Sequence, residues 1–114
     1  GFRWRVVPER HDNGVLEPGM ITTDEPGVYL EGKYGIRTEN ELVCREAEKN
    51  EYGQFLCFEN ITYAPIDLDA VDPEQMTGRE RALLNAYHKK VYETLSPHMT
   101  EEENEWLKTY TRDI

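Results

Sequence analysis

Hydrophobic spacing changes character once along this chain, near Asp72-Pro73, and that change restricts the folds open to it. Up to about Pro65 the texture is that of strands: Phe2–Val7, Met20–Thr23, Gly35–Cys44 and Gln54–Ala64 are rich in β-branched and aromatic residues. Turn clusters such as Asp12-Asn13-Gly14 and Glu17-Pro18-Gly19 separate them. Gly35–Cys44 and Phe55–Tyr63 are expected to pair as a long antiparallel hairpin. Beyond Asp72-Pro73 the apolar period becomes helical. Leu83, Tyr87, Val91 and Leu95 recur every fourth residue with Leu84 alongside, which predicts one apolar stripe on a helix. Thr77 and Glu80 have the spacing of a capping box at its start, and Pro97 marks its end. A second helix is predicted from Thr100, with Glu103 completing another box and Trp106, Leu107 and Tyr110 on one side. The run Glu101-Glu102-Glu103 suits the first turn of that helix, where acids complement the dipole. Strands followed by a helical pair predict an α+β chain in two parts, 1–65 and 66–114.

Charge narrows the function classes. Acidic residues number 23 against 13 basic ones, a formal net charge of −10. Such a field repels duplex nucleic acid and anionic membranes, so neither is an expected partner. No apolar run approaches membrane-spanning length, and Gly1–Pro8 lacks the features of a signal peptide. The absence of an initiator Met reads as a piece of a longer chain. Two cysteines are too few for a disulfide scaffold. Cys44 and Cys57 flank the polar stretch Glu46–Gly53 at similar distances, so a hairpin turn there would let the thiols face each other. A bridge is then geometrically open, although a reduced pair is the commoner state.

The chemically informative residues lie between Glu17 and Asn40. Glu17-Pro18-Gly19-Met20 precedes Asp24-Glu25-Pro26-Gly27-Val28-Tyr29, then Leu30-Glu31-Gly32-Lys33 of turn composition, then Tyr34-Gly35-Ile36-Arg37-Thr38-Glu39-Asn40. Folding the chain back about Gly32 brings Glu25 opposite Glu39. Two facing carboxylates repel, so a proton, an arginine or a metal ion must compensate. Carboxylates suit hard divalent cations and can bridge two ions. Arg37 shares strand parity with Glu39, so both side chains are expected on one face, where the guanidinium can hold a carboxylate from behind. On spacing alone, two glutamates in a strand-rich acidic chain are more often solvated than ligands.

These strings resemble aminopeptidase P and its relatives among the pita-bread metallopeptidases. The resemblance implies that the Glu of Glu-Pro-Gly, Glu25, and the Glu of Gly-Ile-Arg-x-Glu, Glu39, bind metal, the second bridging two ions. Phe55–Thr62 is similar to the strand that follows, Ala64–Asp67 to its exit, and Asn85–His88 with Glu105–Leu107 to the helical extension of the longer enzymes. Thr38 stands where the family usually has Ile, and Glu41 where a hydrophobic residue is common. The implied fold is the carboxy-terminal part of a pita-bread domain over 1–65, with a helical carboxy-terminal extension over 66–114. The implied activity is release of the first residue from peptides with proline second, using two divalent ions, Mn²⁺ by family habit, in the cytoplasm. Glu25 would also assist proton movement, Arg37 would orient the carboxylates, and Tyr29 would line the pocket or sit in the core.

The family's two Asp ligands, its His ligand and its shuttle histidines all precede the first glutamate motif. The sole upstream histidine here, His11, sits in a loop-like segment, and His88 and His98 read as surface or helix-packing residues. With two of the expected ligands, the chain alone is expected to be inactive. The competing expectation is a non-catalytic relative serving as a binding or dimerisation module. Exposed strand edges and the apolar helical stripe favour a homo-oligomer.

Overall fold

A computed structural model describes residues 15–114. The expected strand Phe2–Val7 and His11 lie outside the described residues. The contacts divide the chain into two compact units, the first ending at Thr62 and the second spanning Tyr63–Ile114.

The first unit is antiparallel β. Its strands are β1 (Ile21–Asp24), β2 (Gly27–Leu30), β3 (Tyr34–Arg37), β4 (Asn40–Asn50) and β5 (Gly53–Asn60). They form a three-stranded sheet in the order β1-β4-β5 and a two-stranded sheet of β2 and β3. The expected continuous strand Gly35–Cys44 is therefore broken: Thr38 and Glu39 leave the ladder between β3 and β4. The cause faces them. Pro26 has no amide to donate to a ladder, so pairing lapses at Glu25-Pro26 and their partners. The expected second strand also ends earlier, at Asn60. A turn through Pro18-Gly19, with Gly19 at φ 92° and Met20 N–H donating to the Glu17 carbonyl (3.1 Å), leads into β1.

β4 and β5 form the predicted hairpin, but its register corrects the cysteine reading. Cys44 pairs with Phe58 and Cys57 with Arg45. The chain turns at Glu51-Tyr52, and an irregularity between Glu46 and Lys49 shifts the ladder by one residue. Neighbouring strand residues point to opposite faces, so the thiols do too. Cys44 is buried and Cys57 exposed, and both are free. Among the described residues of this unit, Val43 and Cys44 are the buried apolar side chains.

The second unit begins with an extended segment and two short 3-10 turns, Leu68–Ala70 and Pro73–Gln75. Asp67 and Asp72 cap them by accepting from Asp69 N–H and Glu74 N–H. Helix α1 follows over Gly78–Leu95, then a 3-10 turn Ser96–His98 containing Pro97, then α2 over Glu101–Tyr110. Both predicted capping boxes are present: Thr77 with Glu80, and Thr100 with Glu103. The buried face of α1 takes most of the expected stripe and adds a histidine. Val91 and His88 are fully buried, with Leu84, Asn85, Tyr87, Tyr92 and Leu95 half-buried beside them, and only Leu83, 62 % exposed, falls outside. Leu107 is the buried residue of α2, while Trp106 stays half exposed and stacks on Tyr110 at 4.8 Å between ring centroids.

Candidate metal-ligand pair on an interrupted hairpin

The candidate site is set by register. Within β2–β3, Leu30 pairs with Tyr34, Tyr29 with Gly35, Val28 with Ile36 and Gly27 with Arg37. Each pair is equidistant from Gly32, whose φ of 68° makes the reversal possible. Past the break, Asp24 pairs with Asn40, Thr23 with Glu41, Thr22 with Leu42 and Ile21 with Val43, again equidistant from Gly32. Thr38 N–H donates to the Pro26 carbonyl (3.1 Å) and Cys44 N–H to the Met20 carbonyl (2.8 Å) in the same register. One hairpin thus runs through both sheets, and between its two ladders lie Glu25-Pro26 on one strand and Thr38-Glu39 on the other, with Glu25 opposite Glu39. The expected opposition of these residues is what the register dictates.

Alternation then sorts the β2–β3 hairpin into two faces. Gly27, Tyr29, Gly35 and Arg37 share one. The Tyr29 ring lies flat across the glycines: a Cβ on Gly27 would stand 2.7 Å from its hydroxyl oxygen, and one on Gly35 would stand 2.6 Å from Cδ1. Tyr29 is 66 % exposed, so it is not a core residue of the described chain. Its hydroxyl reaches over Gly27 towards the cross-strand neighbour Arg37, where it favours the charged guanidinium. Arg37 Nε also donates to Glu39 Oε2 at 3.0 Å. The Tyr29 hydroxyl first, then the charges of Glu39 and Glu25, hold the Arg37 pKa above its ordinary value. The other face presents Val28, Leu30, Tyr34 and Ile36 to solvent, and Val28, Tyr34 and Ile36 with Pro26, Gly27 and Thr38 wall a shallow apolar hollow.

Arg37 answers the repulsion between the carboxylates only in part, because it sets one positive charge against two negative ones. Its Nε engages one oxygen of Glu39, which leaves Oε1 for a cation. Two glutamates supply hard oxygen donors of the kind divalent ions prefer. Among the described residues no group of three or more His, Cys, Asp or Glu is gathered closely enough to hold a metal. The pair fits a metal as part of a larger ligand set. His88 is packed inside the second unit, and His98 is exposed.

Residues 54–114 match the family described as the C-terminal region of peptidase M24, and residues 3–46 match metallopeptidase family M24. Aminopeptidase P1 of Arabidopsis thaliana is 42 % identical over 105 residues, covering 90 % of this chain and 16 % of that protein. Aminopeptidase P1 of Lotus japonicus is 42 % identical over 117 residues, covering 99 % of this chain and 17 % of its own length. Among solved structures, the X-prolyl aminopeptidase of Caenorhabditis elegans, described as a cytosolic enzyme with a di-nuclear active site, aligns with a TM-score of 0.77. It is 33 % identical, covering 91 % of this chain and 18 % of that one. The chain thus spans less than a fifth of the length of each of these relatives. No helix among the described residues is long and apolar enough to cross a membrane. Antiparallel sheets followed by helices correspond to the carboxy-terminal part of a pita-bread fold with its helical extension, and the chain belongs to the M24 metallopeptidase family, of which it carries the C-terminal region.

Proposed function

We propose that this chain is the carboxy-terminal part of a di-metal aminopeptidase that releases the first residue from peptides with proline second, and that Glu25 and Glu39 are two of its metal ligands. The observation that carries this reading is the single register, which puts both glutamates between two ladders and opposite each other. The names of the relatives, aminopeptidase P and X-prolyl aminopeptidase, support the substrate class. The di-nuclear site of the Caenorhabditis elegans protein supports two ions, which we take to be Mn²⁺, and its description as cytosolic supports a cytoplasmic location.

Two divalent ions, when bound, supply an activated water and a polarised scissile carbonyl. The chain's own residues do the rest. Glu39, bridging in this reading, is fixed by Arg37 through Oε2, so that its orientation is set before a cation arrives. Tyr29 approaches Arg37 across the hairpin and favours its charged form, and Gly27 and Gly35 give its ring the space to do so. Glu25, opposite Glu39, provides the second carboxylate and accepts a proton from the attacking water.

The isolated chain should bind divalent ions weakly and turn over nothing. An assay of this chain with Mn²⁺ on an Xaa-Pro peptide should match a Glu39→Ala control, and turnover above that control would overturn the assignment of the remaining ligands to other parts of the protein. A second reading, a binding or dimerisation module, is favoured by the exposed apolar face of Val28, Leu30, Tyr34 and Ile36. It predicts a homo-oligomer by light scattering, and a monomer at high concentration would dismiss it.

A further inference from the structure

The second unit contains a polar group that the proposed chemistry does not use. His88 is fully buried on α1. Its Nε2 accepts a hydrogen bond from the backbone N–H of Ile66 at 3.0 Å. An acceptor Nε2 requires a neutral ring with its proton on Nδ1. That Nδ1 is buried and has no partner. The same stretch of backbone is held by two other side chains of α1. Tyr87 donates its hydroxyl to the Ala64 carbonyl at 2.6 Å, and Lys90 Nζ stands 5.5 Å from the centroid of the Tyr63 ring. Of the three holds, the histidine's is the one that a proton inverts.

We propose that His88 is a pH-operated latch, which when neutral fastens the segment Tyr63–Ile66 to α1 and when protonated releases it. A proton added at Nε2 points at the Ile66 N–H, so two donors confront each other in a site closed to water. Neither then has an acceptor, and a buried unsatisfied donor is costly. The surrounding charges oppose protonation as well. Burial first, and then the positive charge of Arg112, hold the imidazole pKa below its ordinary value. Arg112 arrives from the segment after α2, with Nη2 3.6 Å from Asp69 Oδ1 of the 3-10 turn Leu68–Ala70. Asp69 thus partners Arg112. On α1, Tyr87 offers a tilted ring at 5.6 Å between centroids, and the held segment contributes Tyr63.

The direction follows from linkage. A base whose folded pKa is depressed gives full stability above the unfolded value of about 6.5, and the stability is lost as pH falls below it. One proton coupled to opening steepens the opening equilibrium by about tenfold per pH unit below that point, until the folded imidazole itself titrates. The test is hydrogen exchange of the Ile66 amide between pH 7.5 and 5, corrected for the intrinsic rate. Protection should decline with that slope in the native chain and lose the slope in His88→Gln, whose side-chain oxygen can accept but cannot titrate. An unchanged slope in His88→Gln, or full protection of Ile66 at pH 5 in the native chain, would overturn the latch. Nitrogen-15 shifts of His88 in the unmutated chain give a second readout that survives a folding failure of the variant. They should report an Nδ1–H tautomer at pH 7.5, and an Nε2–H tautomer would dismiss the proposal.

Discussion

Replacing Leu107 by Ala should cost the helical unit nearly all its stability. Leu107 is fully buried, and the unit has few other side chains so completely enclosed: His88, Val91 and Leu68. A buried Leu→Ala change removes about 2–5 kcal/mol, the larger values where the surroundings cannot collapse into the cavity. A unit of about 50 residues, at roughly 0.05–0.15 kcal/mol per residue, has about 3–8 kcal/mol to lose. The two ranges overlap, so Leu107→Ala should populate unfolded helix at 25 °C. Circular dichroism at 222 nm through a urea titration follows α1 and α2, and Trp106 fluorescence, read in a Trp4→Phe background, reports α2. Leu83→Ala is the control. That side chain is 62 % exposed although the sequence places it on the apolar stripe, and its loss should cost less than about 0.5 kcal/mol. Equal urea midpoints for the two variants would refute the packing argument.

Other consequences are as specific. Hydrogen bonds from the backbone and side chain of Thr77 hold the Glu80 pKa below its ordinary value, and Thr100 does the same to Glu103. Their contribution is present above the unfolded carboxylate pKa and lost as pH falls through the depressed folded values. Helix content should therefore decline in acid, with Thr100→Ala costing about 1 kcal/mol at neutral pH and flattening the acid limb. Gly35→Ala should displace the Tyr29 ring, since the new Cβ would meet Cδ1 at 2.6 Å. Exchange of the Arg37 Nε proton should quicken, while stability changes by less than about 1 kcal/mol because the ring is largely exposed. A thiol reagent should modify Cys57 in the folded chain and Cys44 only on unfolding. Under mild oxidant the intact mass should show no internal bridge.

Much of the β-hairpin was legible because turn chemistry and register are local. Gly32 with its flanking polar residues names the reversal, and equidistance from it then pairs Glu25 with Glu39. The lapse at Thr38-Glu39 was missed, because the proline that weakens the ladder lies on the opposite strand. Cysteine spacing misled for a related reason: a one-residue irregularity in β4 lies outside any alternation rule. Both helix starts were readable from the Thr-to-Glu spacing. The buried face of α1 was readable in part: Leu84, Tyr87, Val91 and Leu95 lie on it, but Leu83 does not and His88, which hydrophobicity passes over, does. A histidine becomes a good core residue only when a backbone amide from elsewhere meets its ring nitrogen, as Ile66 does. The network from Tyr29 to Arg37 was signalled by glycines at Gly27 and Gly35 on the face of Tyr29, a pattern that marks room for a ring.

The central claim, that Glu25 and Glu39 are metal ligands, is tested most directly by metal content in the full-length protein carrying this segment. Mn²⁺-loaded protein, dialysed and assayed by elemental analysis, should hold two ions per chain when unmutated and fewer than two in Glu39→Gln and in Glu25→Gln. Glu46→Gln, on β4 away from the pair, should keep both ions. Full loading of two ions in both Glu25→Gln and Glu39→Gln would contradict the account.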